Sequence, residues 1–234
     1  MRVAAIVPAA GRGERLGPGT PKALRLLGGV PLLVHAVRAL SGARLVDLVV
    51  VAGPPGGEAE VRALLDAHDV AAEVRVVSGG DTRQESVRRA LDVLPADVEA
   101  VLVHDAARPL APSDLADDVA QALITGTTAV IPVMPVADTI KRVDAQGRVL
   151  QTLARSELVT VQTPQGFARA VLAEAHDAAV VDGFEGTDDA SLVERLGIPV
   201  LTLPGYDDAF KVTRPGDLAH AETVLSRRVE RRDR

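Results

Sequence analysis

Short, almost wholly apolar runs alternate along this chain with stretches whose apolar residues recur at helical spacing. The first run covers residues 3–8 and leads into a long glycine-rich loop. Pro31 then stands at a plausible first helical turn, and LLVHAVRAL carries helical spacing to about Ser41. VDLVVVA, residues 46–52, reads as a strand covered on both faces. Further strands are predicted over 73–77, 100–105 and 128–133. Helices are predicted over 58–68 and 83–94, and Ser113 or Asp114 can cap another that runs to about Thr125. This repetition predicts an α/β fold, a mostly parallel twisted sheet with helices on both faces.

After Val136 the pattern changes. DTIKRVDAQGRVLQTLAR reads as two polar-alternating strands joined by a turn around 144–147, a β-hairpin arm at about 137–156 projecting from the sheet. Helical spacing returns over 168–181 and 191–196, strands are expected near 200–203 and 210–212, and a helix from 215 to about 229 follows. With no internal repeat and no low-complexity linker, residues 1–234 read as one domain carrying an inserted arm.

Composition narrows the chemistry. The formal net charge of -6, from 26 basic and 32 acidic residues, disfavours general binding to nucleic acid or to anionic membranes. Aromatic residues make up 2% of the chain, with no Trp, so a bound base would be held mainly by backbone groups rather than by stacking platforms. The absence of Cys excludes disulfides, a thiol nucleophile and a thiolate metal site. The five His show no close metal-ligand spacing, and no G-x-S-x-G elbow occurs. No segment approaches the roughly 18–20 apolar residues that span a bilayer. The opening MRVAAIVPAAG is too short an apolar run for a secretion signal, and a cytoplasmic location is expected.

The loop after the first strand, PAAGRGERLGPGTPK, is the richest candidate site. Gly11 and Gly13 let the backbone approach a phosphate, and Arg12, Arg15 and Lys22 face a single acid, Glu14. The dinucleotide fingerprint does not fit, because its third glycine position holds Leu16. A Walker A loop does not fit either, because Lys22 lies between Pro21 and Ala23. Arg12 and Glu14 read as surface residues.

This loop, together with GGDTRQESV, VHDAARP, DTIKR, TPQ, TDDAS and FKVTRP in that order, resembles the 2-C-methyl-D-erythritol 4-phosphate cytidylyltransferase family across almost the whole chain. The resemblance implies a nucleotidyltransferase fold, a homodimer with a projecting arm, CTP and Mg²⁺, and a reaction joining a polyol phosphate to CMP with release of pyrophosphate. It implies transition-state stabilisation by Arg15 and Lys22, base contacts at Ala9, Ala10, Gly80, Asp81 and Ser86, and ribose contacts at Pro8, Gly11 and Ala106. Asp81 and Ser86 are also good helix-start residues, and capping can coexist with base recognition.

By the same resemblance, Asp105 has a substrate or metal-linked role and Arg108 recognises phosphate; a purely structural Asp105–Arg108 pair is the alternative. His104 reads as a satisfied core residue. Arg155 and Lys211 would position the attacking polyol phosphate, with Thr139, Thr163 and Thr187 assisting, and Thr139 and Arg155 are expected on opposite strands of the arm, reaching the partner's site. A ribitol 5-phosphate cytidylyltransferase and a non-catalytic CTP-binding module remain alternatives, the module opposed by the intact Arg15, Lys22, Arg155 and Lys211.

Overall fold

In the computed structural model, residues 1–11, 21–68, 70 and 73–232 are described. The chain begins with β1 (Arg2–Pro8), and a single 3-10 turn at Lys22–Leu24 precedes the two-residue strands β2 (Leu26–Leu27) and β3 (Val30–Pro31). Then come α1 (Leu32–Ser41), β4 (Leu48–Gly53), α2 (Glu58–Asp66), β5 (Glu73–Ser78), α3 (Arg83–Asp92), β6 (Val98–Val103), α4 (Ser113–Ile124) and β7 (Ala129–Pro135). The arm is β8 (Lys141–Val143) with β9 (Val149–Thr152). β10 (Val159–Val161), β11 (Gln165–Ala168), α5 (Arg169–Asp182), α6 (Asp189–Arg195), β12 (Leu201–Pro204) and α7 (Pro215–Arg232) complete the order.

Alternation along β1 explains the layers. Val3, Ala5 and Val7 point into one apolar cluster with Leu33, Val37, Val61, Leu65, Val119 and Leu123 from α1, α2 and α4. Ala4 and Ile6 point into the other, with Val87, Leu91, Leu172 and Val193 from α3, α5 and α6. Each fully buried Val or Leu contributes about 1.5–3 kcal/mol, so the sheet needs helices on both faces, and it has them. Among the described residues β1 pairs parallel with β4 and β6, β4 with β5, and β7 with β12.

β10 and β11 are antiparallel additions that the apolar pattern does not predict. They lie end to end along one edge of β7, and β11 also pairs with β6. Pro164 and Gly166 make this stretch read as loop, yet both halves find ladder partners. The strand expected near 210–212 is not formed; the segment is held by single contacts such as Val212 N–H to Ala107 O, 2.8 Å. Neither Ser113 nor Asp114 caps α4, whose cap position is Pro112.

The arm forms as expected, with its turn set by Asp144. The Asp144 side chain accepts the amides of Gln146 (3.0 Å) and Arg148 (2.9 Å), and Gly147 supplies the required positive φ of 79°. Its strands are exposed throughout, including Val143, Val149 and Leu150. Thr139 and Arg155 sit at its base rather than on its strands, and Arg155 begins a 3-10 turn, Arg155–Glu157. Among the described residues, no helix is long and apolar enough to cross a membrane.

Candidate active site

The parallel order β6–β1–β4–β5 reverses direction between β1 and β6, and the crevice beyond the carboxyl ends of strands at such a reversal is the usual ligand site. A cleft occupies that place. Pro8 ends β1 and Ala9, Ala10 and Gly11 follow it, Gly80, Asp81 and Thr82 follow β5, and Asp105, Ala106 and Ala107 follow β6. Lys22, Ala23, Arg83, Ser86 and Lys211 complete the wall. The cleft thus collects Lys22, Lys211 and all the expected nucleotide contacts. Arg15 lies outside the described residues, as do Arg12, Gly13 and Glu14.

The loop after β5 is shaped from within. The Gly79 amide donates to Gly53 O at 2.7 Å, and a Cβ on Gly79 would meet the Ala10 Cβ at 2.6 Å, so this position needs glycine. Ser86 Oγ accepts the Gly80 amide (3.0 Å) and donates to Thr82 O (2.9 Å), while Glu85 accepts the Asp81 amide (2.8 Å). Thr82, not Asp81 or Ser86, caps α3, accepting from the Glu85 amide. The Gly80 and Asp81 amides are therefore engaged inside the protein.

Asp105 is the electrostatic centre. Its Oδ1 accepts from Arg83 Nε at 3.0 Å and its Oδ2 from Lys211 Nζ at 2.6 Å. Burial opposes the charge of Asp105, yet Arg83 and Lys211 hold its carboxyl well below the usual carboxylate range. Burial likewise penalises the Arg83 cation, but Asp189 and Asp105 raise its pKa above the ordinary value. Arg83 and Asp189 are the site residues that sequence reasoning missed. Both lie inside motifs already singled out, GGDTRQESV and TDDAS, but nothing in a sequence tells that they meet.

Two expected substrate contacts are turned inward instead. Arg108 is buried and donates to Ala209 O (2.7 Å) and Val161 O (2.9 Å), so it braces the segment leading to Lys211 rather than facing the cleft. The Asp105–Arg108 pair is not the one formed; Asp105 pairs with Arg83 and Lys211. Thr163 is also buried, its Oγ1 accepting the Asp105 amide at 3.0 Å and bonding His104 Nδ1 at 3.0 Å. Thr187 and Thr139 are exposed and absent from the cleft wall, and Arg155, also exposed, bonds Ala137 O at 2.9 Å.

His104 is a satisfied core residue. Thr163 O–H donates to its Nδ1, which leaves Nε2–H for Arg108 O at 3.3 Å. Burial pushes its pKa down to about 4. A folded-state pKa below the ordinary 6.5 means that the unfolded chain takes up the proton first. Stability is therefore whole above pH ~6.5 and is lost progressively, by on the order of 3 kcal/mol in all, as pH falls from ~6.5 to ~4. His35, also lowered by burial, acts in the same direction. Denaturant unfolding at several pH values should show this slope, flattened in His104→Gln; an unchanged slope would assign it elsewhere.

Comparison with known proteins places this geometry. The family model for IspD, 2-C-methyl-D-erythritol 4-phosphate cytidylyltransferase, matches residues 3–227. A protein of that name from Streptomyces coelicolor is 56% identical over 97% of this chain and 86% of its own length. Another, from Frankia casuarinae, is 57% identical over 97% of this chain and 82% of its own. A crystal structure of a Thermus thermophilus protein of that name superposes with a TM-score of 0.78 at 38% identity, covering 96% of this chain and 98% of that one. A 4-diphosphocytidyl-2C-methyl-D-erythritol synthase from Anaerococcus prevotii gives 0.84 at 27% identity, covering 96% of each chain.

Proposed function

The chain belongs to the 2-C-methyl-D-erythritol 4-phosphate cytidylyltransferase family, and from that premise we propose how its own residues divide the reaction. The enzyme transfers CMP from CTP to 2-C-methyl-D-erythritol 4-phosphate and releases pyrophosphate, a step of non-mevalonate isoprenoid precursor synthesis. One observation carries the assignment of roles: Lys22, Lys211, Asp105 and the Gly80–Asp81 loop line a single cleft. Residues 1–234 act as one nucleotidyltransferase domain with its arm at about 137–156.

The cytosine lies against Ala9, Ala10, Gly80, Asp81 and Ser86. Its exocyclic amine is a hydrogen-bond donor, which suits main-chain carbonyls of a loop whose amides at Gly80 and Asp81 are engaged internally. Pro8, Gly11 and Ala106 flank the ribose. Lys22 and Arg15 hold the triphosphate and stabilise the charge that gathers at the α-phosphorus, since positioning and electrostatics carry most of such transfers.

Mg²⁺ is the cofactor in this reading. Among the described residues no group of three or more His, Cys, Asp or Glu could cage a metal. Such a site fits an ion that would be held largely by substrate phosphates, as Mg²⁺ commonly is, with Asp105 the cleft carboxylate that would assist in holding it. When bound, such an ion neutralises charge on the departing pyrophosphate. A cytoplasmic location belongs to the same reading, because CTP is an intracellular nucleotide.

Lys211 positions the acceptor phosphate, and Arg155, Thr139 and Thr187 reach the site from the arm and a neighbouring loop. Arg155 and Thr139 act on a partner's cleft in a homodimer, which the exposure of Val143, Val149 and Leu150 on the arm supports. Arg108 and Thr163 assist by holding the segments around Asp105 and Lys211.

Pure protein with CTP, Mg²⁺ and 2-C-methyl-D-erythritol 4-phosphate should release pyrophosphate, and ribitol 5-phosphate should not replace the acceptor; equal rates with both would overturn the acceptor assignment. Lys211→Ala should raise the acceptor KM by roughly tenfold or more, the worth of one charged hydrogen bond, with CTP affinity within a factor of about two. Loss of CTP binding with a normal acceptor KM would reverse the division of the site.

A further inference from the structure

Arg83 stands at the first position of α3, in the cleft wall, with a carboxylate on either side. Its Nε donates to Asp105 Oδ1 at 3.0 Å and its Nη1 to Asp189 Oδ2 at 2.7 Å. Asp189 is 1% exposed, and its other oxygen meets His176 Nε2 at 3.0 Å. On the cleft side, Lys211 Nζ lies 2.6 Å from Asp105 Oδ2. Alternating charges thus run from Lys211 through Asp105 and Arg83 to Asp189, which also hydrogen-bonds the buried His176 ring.

Buried ion pairs add little net stability over apolar packing, so stability alone gives no reason for this run. Orientation does. A lysine ammonium rides on a flexible stem and takes its direction from its partner, whereas a guanidinium presents a planar, rigid fork. Arg108 and His104, two other groups near Asp105, make their hydrogen bonds elsewhere, to Ala209 O, Val161 O and Thr163. Arg83 holds the Asp105 carboxylate at Oδ1, while Lys211 takes Oδ2.

We propose that Arg83 is a positioning residue: by bridging Asp189 and Asp105 it fixes the Asp105 carboxylate, which holds Lys211 Nζ toward the acceptor phosphate. The proposal rests on the reading of Lys211 given above. Misplacing such a group by about an ångström costs up to roughly a hundredfold.

The test is a double-mutant cycle on the full chain, measuring acceptor kcat/KM and CTP affinity. Arg83→Gln is expected to lower acceptor kcat/KM by roughly ten- to hundredfold, with CTP affinity within about twofold. In a Lys211→Ala background, Arg83→Gln should cost little more, because the group that it positions is gone. Independent, multiplying effects would overturn the proposal, as would a parallel loss of CTP binding, which would make Arg83 a nucleotide contact. Lys211→Ala with normal acceptor kinetics would instead overturn the reading of Lys211 itself. Should Arg83→Gln fail to fold, Arg83→Lys keeps the cation but cannot bridge both carboxylates with a fork. It should show the same acceptor-selective loss, smaller in size, and wild-type kinetics in it would show that the bridge is not required.

Discussion

Lys22→Ala is expected to lower kcat by at least about two orders of magnitude while leaving the protein folded. The reaction brings a phosphate monoester against a triphosphate, so negative charge accumulates where few groups can offset it. Removing one donor aimed at such charge costs about 2.7–4 kcal/mol of transition-state stabilisation. The backbone at Lys22 is fixed: Leu24 N–H bonds Pro21 O at 2.9 Å, Arg25 N–H bonds Lys22 O at 3.2 Å, and Ala23 is buried. Trimming the side chain leaves that turn in place, so circular dichroism and thermal unfolding should match the wild type. Arg15→Ala carries the same expectation from the loop motif. Near-normal kcat at saturating CTP and acceptor would remove the residue concerned from the catalytic role.

The sheet core was legible because β4 is a continuous apolar run and β1 and β6 are nearly so, while α1 and α3 show a different period. β10 and β11 were not, because Pro164 and Gly166 carry loop signals while the ladder partners lie far off in sequence. The arm's turn was legible because an Asp and a Gly at fixed spacing suffice to close it. Motif position told that Lys22, Asp105 and Lys211 belong near one site. It could not tell that Arg108 points at two carbonyls, since the N–H groups of a guanidinium can donate to a phosphate or to a carbonyl. Nor could it pair Arg83 with Asp189, 106 residues away, which takes the folded β5–α3 and α6 junctions to bring about.

Mixing Arg155→Ala subunits with Lys22→Ala subunits should restore activity that neither parent has. The arm is the reason. Its two strands carry Val143, Val149 and Leu150 largely in the open, and an isolated two-stranded hairpin is marginal in water. Packing against a twin arm about a two-fold axis would cover those side chains and carry each arm's base toward the other subunit's cleft. Arg155 supports this direction: it is exposed, is absent from the wall of its own cleft, and bonds Ala137 O with one of its N–H groups. In a mixed dimer, the cleft that keeps Lys22 belongs to the Arg155→Ala subunit and receives its arm from the Lys22→Ala subunit, where Arg155 is intact. That site is complete, the other lacks both groups, and each mutant homodimer has no complete site. Activity should therefore rise, once subunits exchange, toward half the wild-type level per mixed dimer. Tagging each parent differently and purifying through both tags isolates the mixed species for assay. Mixed dimers as inactive as their parents would mean that Arg155 serves its own subunit, and no dimer at all would remove the arm from the site.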